Sequence, residues 1–189
     1  MSAVADTYLD ETAERYRASV VAAIGEEVEV LETFVLGSGL VGGYRPGKSD
    51  LDLVAVVDRP LRGDARRRAI GRIAELELPG RRLELVVYVG GHQPPDFDLN
   101  LEVDADGVRE APDEAPHWFV IDAAIAQDQS SGWGDYFEPI STERTRRAVE
   151  ESLAWSAEHP QYEFSRLNAA RARHYLEHGE WISKAEAAG

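Results

Sequence analysis

One short segment constrains the fold of this chain more than any other. Ser49–Leu53 places two carboxylates on an apolar strand, directly after a glycine-rich loop. In an extended strand, residues two apart point to the same side, so Asp50 and Asp52 share one face while the leucines beside them enter the core. Two neighbouring carboxylates repel each other unless a cation lies between them. The segment therefore predicts a strand with one face in the core and the other in a binding site.

Apolar periodicity places this strand in a series of elements with the order helix, strand, strand, helix, strand. The glycines and proline between the first two strands predict a loop throughout Ser38–Lys48. Later in the chain, a short strand near 99–103 and a helix over 117–126 are expected. The first five predicted elements are a helix over 7–24, strands over 28–36 and 50–57, a helix over 61–78 and a strand over 83–89.

The composition shifts to continuous helix formers near Pro139, and we place a domain boundary there. The predicted domains are 1–139 and 140–189, the second made of three helices. The fold class is α+β: a small mixed sheet flanked by helices, followed by an α-helical domain. The residues expected to cap the helices of the second domain are Ser141, Gly179 and Ser183, the last paired with Glu186 in a capping box.

The charge and composition narrow the classes of partner. A formal net charge of −15 argues against nucleic acid, which is bound mainly through Lys and Arg, and favours a small cationic ligand. The chain has no cysteine, so disulfides and thiolate metal sites are excluded. Met1–Arg17 lacks the apolar core of a signal peptide, and no apolar run approaches the roughly 20 residues of a membrane span. We expect a cytoplasmic protein without a membrane partner; the sequence does not set its oligomeric state.

A third carboxylate and a phosphate-binding turn complete the candidate site. Glu84 lies in an otherwise apolar strand, where an unpartnered carboxylate is costly, so we expect it beside Asp50 and Asp52 in a three-carboxylate cluster. Gly37 and Ser38 end the preceding strand and can offer backbone N–H groups and a hydroxyl to phosphate oxygens. Mg²⁺ is commonly held by one or two carboxylates together with substrate phosphates. The constellation indicates metal-dependent nucleotide chemistry.

A competing motif overlaps the loop. Gly42, Gly47, Lys48 and Ser49 satisfy the P-loop pattern G-x-x-x-x-G-K-[ST]. That motif needs a helix directly after its final residue, because the helix N-terminus binds the phosphates. A strand is expected there instead, so we reject the P-loop.

The segments Gly37-Ser38, Ser49–Leu53 and Leu83–Leu85 resemble the active-site signature of the polymerase-beta-like nucleotidyltransferase superfamily. Within it, the chain is most similar to aminoglycoside adenylyltransferases of the streptomycin/spectinomycin type, and the resemblance covers nearly the whole sequence. It implies that AMP is transferred from ATP to a hydroxyl group of a small molecule, an aminoglycoside-type antibiotic, with release of pyrophosphate.

The resemblance also implies roles for individual residues. Asp50, Asp52 and Glu84 form the catalytic and Mg²⁺-binding set, with Glu84 as general base. The nucleotide-binding residues are Gly37, Ser38, Ser49, Arg171 and Lys184, and the acceptor-binding candidates are Trp155, Glu158 and Glu163.

The helical domain is expected to be shorter than in that family, because the family's chain continues beyond the position of Gly189. Two alternatives therefore stay open. One is a nucleotide-binding regulatory module without transfer activity. The other is a protein-modifying nucleotidyltransferase of the toxin–antitoxin type.

Overall fold

The structure is a computed structural model that describes residues 8–188, except for the side chains of Glu163 and Ala185. The described chain divides into two compact units. The units comprise residues 8–113 with 129–138, and residues 114–128 with 139–188.

The first unit is built on a five-stranded mixed sheet whose spatial order follows the chain order, β1 to β5. β2 and β3 are parallel and every other neighbouring pair is antiparallel. Parallel neighbours need a crossover connection, which the helix α3 (Gly63–Ala74) supplies. The strands are β1 (Val30–Val35), β2 (Asp50–Val57), β3 (Arg82–Val89), β4 (Leu99–Asp104) and β5 (Gly107–Glu110).

The core of this unit lies between the sheet and the helices α1 (Glu11–Gly25) and α3. The alternation along β2 follows the sequence prediction: Leu51 and Leu53 are buried, whereas Asp50 and Asp52 lie on the half-exposed face. The side chain of Asp10 begins α1 by accepting a hydrogen bond from the Ala13 N–H at 2.8 Å. The hydrophobic face of β2 is therefore fixed in the core, and its polar face is available for a site.

The second unit consists of the helices α4 (Pro116–Gln129), α5 (Thr142–Glu158), α6 (Glu163–His178) and α7 (Lys184–Ala187). All three predicted caps are confirmed. The Ser141 hydroxyl accepts from the Arg144 N–H, and Gly179 adopts a left-handed φ of 74° at the end of α6. The Ser183 N–H donates to the Glu186 carboxylate at 2.8 Å, and the Glu186 N–H donates back to the Ser183 hydroxyl at 3.1 Å.

The α+β class and the mixed sheet are confirmed, but several local features differ from the prediction. The helix predicted over 61–78 is shorter, and residue 7 of the helix predicted over 7–24 lies outside the described residues. A single helical turn, α2 (Gly37–Leu40), occupies the start of the segment predicted to be loop. The short strand β5 was not predicted. The chain passes between the units at three points, one of them after Glu138, and α4 apart from its last residue belongs to the second unit. No helix in the described part of the chain is long and apolar enough to span a membrane.

Candidate active site

The parallel pairing of β2 and β3 brings the predicted carboxylates onto adjacent strands. Asp52 is the register partner of Glu84, and Asp50 is the partner of Arg82. The flanking leucines of both strands are buried, so the three acidic side chains share the opposite face of the sheet. The expectation that the Glu84 strand lies beside the Asp strand is confirmed.

Gly37 and Asp52 are in close contact at the end of β1. Gly37 has a φ of +54°, in the left-handed region that favours glycine, and a Cβ added there would overlap the Asp52 carboxylate. The Leu36 N–H also donates to the Asp52 carbonyl at 2.8 Å. Gly37 therefore makes the turn possible and leaves room for the carboxylate.

The loop between α2 and β2 is held by local hydrogen bonds. The Gly43 N–H donates to the Ser38 carbonyl at 2.9 Å. The Ser49 hydroxyl accepts from the Arg45 N–H at 2.9 Å, and the Ser49 N–H donates to the Arg45 carbonyl at the same distance. Ser49 thus closes the turn from which β2 starts. Because a strand follows it, the P-loop is excluded, as the sequence analysis expected.

Two arginines that the sequence analysis did not assign to the site pair with its carboxylates. Arg81 donates to both oxygens of Asp50, from Nε at 2.9 Å and from a terminal nitrogen at 2.6 Å. Arg82 lies 3.3 Å from Glu84 and 3.2 Å from Glu102 on β4. In the sequence, the only sign that these arginines pair with the carboxylates was their place: Arg81 directly precedes the strand that carries Glu84, and Arg82 begins it.

The surroundings of Glu84 raise the pKa of its carboxyl group to about 8. The first cause is desolvation by the surrounding protein, and the second is repulsion from Asp52, with smaller contributions from Asp50 and Glu102. Arg82 opposes the rise. Since 44% of the Glu84 side chain remains exposed, the carboxylate is crowded yet still accessible. With this pKa the group is mostly protonated near neutral pH, and only its ionised fraction can accept a proton.

The residues suit a magnesium ion that also has phosphate ligands. Among the described residues, no group of three or more His, Cys, Asp or Glu side chains is arranged to hold a metal ion, so the predicted three-carboxylate metal set of Asp50, Asp52 and Glu84 is not found. Asp50 and Asp52 nevertheless offer hard oxygen donors on one face of β2, and Mg²⁺ often takes only one or two protein carboxylates. The repulsion that raises the pKa of Glu84 is the kind that a bound cation relieves. The donor set therefore fits Mg²⁺.

In the second unit, Arg171 supports the segment that leads to Lys184. Its Nε–H donates to the Ile182 carbonyl at 2.8 Å, two residues before Lys184 begins α7. Burial lowers the pKa of Arg171, and Asp122 opposes that effect. Arg171 also lines a small pocket of about 30 Å³, room for about one water molecule, beside Trp118 and Trp181. The Lys184 side chain is exposed.

The predicted acceptor-binding residues lie around the junction of α5 and α6. The Trp155 ring stacks on His159 with centroids 4.2 Å apart. Glu158 is exposed at the last position of α5, and the side chain of Glu163 is outside the described residues. Two exposed rings, Tyr162 and Phe164, lie nearly parallel to Trp155 at centroid distances of 5.7 Å.

No protein-family model and no curated protein matches this sequence. Among solved structures, the chain is similar to the spectinomycin adenyltransferase AAD(9) from Enterococcus faecialis, determined with ATP and spectinomycin. The TM-score is 0.71 at 16% sequence identity, and the match covers 95% of this chain and 81% of the other. The chain therefore shares the fold of that adenyltransferase. The predicted fold class is thus confirmed by an independent comparison.

Within this fold, the predicted site residues fall into two groups. The structure brings together those of the first unit: Gly37, Ser38, Ser49, Asp50, Asp52 and Glu84. The others, Trp155, Glu158, Arg171 and Lys184, belong to the second unit, where Trp155 with Glu158 and Arg171 with Lys184 form separate neighbourhoods. Their ligand-binding roles stay predictions.

Proposed function

We propose that this protein is an adenylyltransferase that moves AMP from ATP to a hydroxyl group of a small cationic acceptor, an aminoglycoside-type compound. The observation that carries the proposal is the pairing of Asp52 with Glu84 on parallel strands, with Gly37 packed against Asp52. This arrangement occurs in a fold similar to that of an adenyltransferase determined with ATP.

In the proposed reaction, the acceptor hydroxyl oxygen forms a bond to the α-phosphorus of ATP. The bond between that phosphorus and the oxygen bridging to the β-phosphate breaks, and pyrophosphate leaves. Glu84 accepts the hydroxyl proton, a role supported by its position beside Asp52 and by its partly exposed side chain. Asp50 and Asp52 would hold Mg²⁺, which offsets the negative charge of the phosphates when it is bound.

The nucleotide is proposed to bind through several groups. The backbone at Gly37 and the hydroxyl of Ser38 lie at the turn beside Asp52, where phosphate oxygens can meet N–H donors. Ser49 maintains the loop that leads to Asp50. Arg171 and Lys184 are proposed as further phosphate ligands on the strength of the family resemblance.

The acceptor side is supported by charge and aromatic surface. The net charge of −15 attracts a cationic molecule. The half-buried Trp155 and its exposed neighbours Tyr162 and Phe164 offer aromatic faces to a cation. Glu158 and Glu163 are the proposed carboxylate partners for the acceptor's positive groups.

The proposal is tested by incubating the full chain with Mg²⁺, nucleoside triphosphates labelled at the α-phosphate, and a panel of aminoglycosides. We expect label from ATP on a small molecule, with pyrophosphate formed in equal amount. Label on protein would favour the protein-modifying alternative. Binding of Mg-ATP without any transfer would favour a regulatory module, and either result would contradict the proposal.

A further inference from the structure

We infer that Arg81 is a counter-cation for Asp50 and that a metal ion must displace its guanidinium in order to bind this carboxylate. The inference rests on the proposed function, because it concerns the metal site of that reaction. It is supported by a bidentate contact: Arg81 donates to both carboxylate oxygens of Asp50, at 2.9 and 2.6 Å.

The backbone holds Arg81 in place for this contact. The Arg81 N–H donates to the Ser49 carbonyl at 3.1 Å. A Cβ added at Gly80 would overlap the same carbonyl oxygen, so the close approach of the two segments needs a glycine at that position. Arg81, which follows Gly80, is therefore held beside Ser49, which precedes Asp50. From this position the Arg81 side chain reaches the Asp50 carboxylate.

The contact places the guanidinium in competition with a metal ion. Mg²⁺ binds through carboxylate lone pairs, and in this arrangement both Asp50 oxygens already accept hydrogen bonds from Arg81. The Asp50 side chain is only 16% exposed, which leaves little surface for a second cation. Arg81 is 64% exposed, so its guanidinium can leave Asp50 for solvent without being buried elsewhere. Metal binding then exchanges one cation for another at Asp50.

Removing the guanidinium should strengthen metal binding when no nucleotide is present. An ion pair whose guanidinium is mostly exposed contributes little free energy, so we expect Arg81→Ala to bind the metal about fivefold more tightly. Arg81→Lys tests whether positive charge alone accounts for the effect. Lysine keeps the charge but lacks the planar guanidinium that donates to both Asp50 oxygens. Arg59→Ala is the matched control, since Arg59 pairs with Asp58 just beyond the other end of β2.

The experiment measures Mn²⁺ binding to the full chain by electron paramagnetic resonance of the free ion, without nucleotide. Displacement predicts that Arg81→Ala binds about fivefold more tightly than the wild type. Arg81→Lys should lie between the two, and Arg59→Ala should match the wild type. In the wild type, the ¹⁵N resonance of the Arg81 Nε–H group should shift when Mg²⁺ is added, because this group donates to Asp50 only in the metal-free state.

The possible failures are distinguishable. If Arg81→Ala binds Mn²⁺ as the wild type does, and Asp52→Asn abolishes binding, the displacement is contradicted while the proposed metal site stands. If Arg81→Ala binds more tightly but Arg81→Lys equals the wild type, charge alone explains the effect and the displacement is again contradicted. Absence of Mn²⁺ binding in wild type and Arg81→Ala alike would overturn this inference, while the proposed site, in which nucleotide phosphates also bind the metal, would still stand.

Discussion

Gly37 packs directly against Asp52: the Asp52 carboxylate occupies the position that a side chain on Gly37 would need. The φ of +54° at Gly37 adds a second reason for glycine there. The turn after β1 and the second acidic residue of β2 are therefore a single structural unit. The contact links the proposed phosphate-binding turn to a proposed metal ligand.

Gly37→Ala should displace the Asp52 carboxylate and strain the backbone. We expect the rate of nucleotide transfer to fall at least about 100-fold, because small misplacements of catalytic groups have effects of that order. Gly71→Ala is the control, since Gly71 lies within α3 with open space around its Cβ position. That change should raise the free energy of unfolding by about 0.5–1 kcal/mol and leave transfer unchanged. Equal transfer by the two variants would contradict the role of the contact.

The raised pKa of Glu84 predicts a specific dependence of stability on pH. The folded chain binds this proton more tightly than the unfolded chain, whose ordinary value is 4.5. The contribution of Glu84 to the free energy of unfolding is therefore fully present below pH 4.5 and is lost as the pH rises through about 8. Glu84→Gln should remove this loss, so the variant should gain stability relative to the wild type between pH 5 and 9. Urea unfolding in the presence of a chelator measures the difference; parallel pH profiles would contradict it.

Glu27 predicts the opposite pH dependence. Hydrogen bonds from Arg68 and Arg72 lower the pKa of its carboxyl group to about 2. The stability that Glu27 contributes is thus present above the ordinary value of 4.5 and is lost as the pH falls toward 2. Glu27→Gln should flatten the stability profile in this acidic window. Arg68→Gln should flatten it in part, because Arg72 remains. Thermal unfolding from pH 2 to 5 tests both; an unchanged slope in Glu27→Gln would refute the assignment.

Trp155 offers a test of the acceptor side. If its ring contacts the cationic acceptor, Trp155→Ala should raise the KM for the acceptor roughly tenfold, the order expected for a partly desolvated cation–aromatic contact. The KM for ATP should stay the same. Trp155→Phe keeps an aromatic ring and should lie closer to the wild type. A rise in the KM for ATP instead, with the KM for the acceptor unchanged, would place Trp155 elsewhere in the reaction.

Much of the site could be predicted because its signals are local. The Asp-x-Asp pattern fixes which face of β2 is polar, and the cost of an unpaired carboxylate in an apolar strand predicts that Glu84 has neighbours. The caps at Ser141 and Ser183 follow from side chains that bond to their own backbone neighbours.

The features that the sequence did not reveal depend on tertiary contact. The turn α2 has the composition of a loop, and it is held by long-range contacts such as the Tyr8 N–H donating to the Gly39 carbonyl at 2.9 Å. The pairing of Arg81 with Asp50 requires Gly80 to approach Ser49, which no spacing rule predicts. β5 is short and mostly polar, so it has no apolar alternation to mark it.

The paired strands β2 and β3 are proposed to carry the chemistry of nucleotide transfer. The most direct measurement is the rate at which ATP labelled at the α-phosphate transfers its label to an aminoglycoside acceptor, for wild type, Asp50→Asn with Asp52→Asn, and Glu84→Gln. Asp106→Asn, in the exposed turn between β4 and β5, is the matched control. We expect both site variants to lose at least about 100-fold in rate, with the control unchanged. Transfer that survives intact in the double variant would contradict the site.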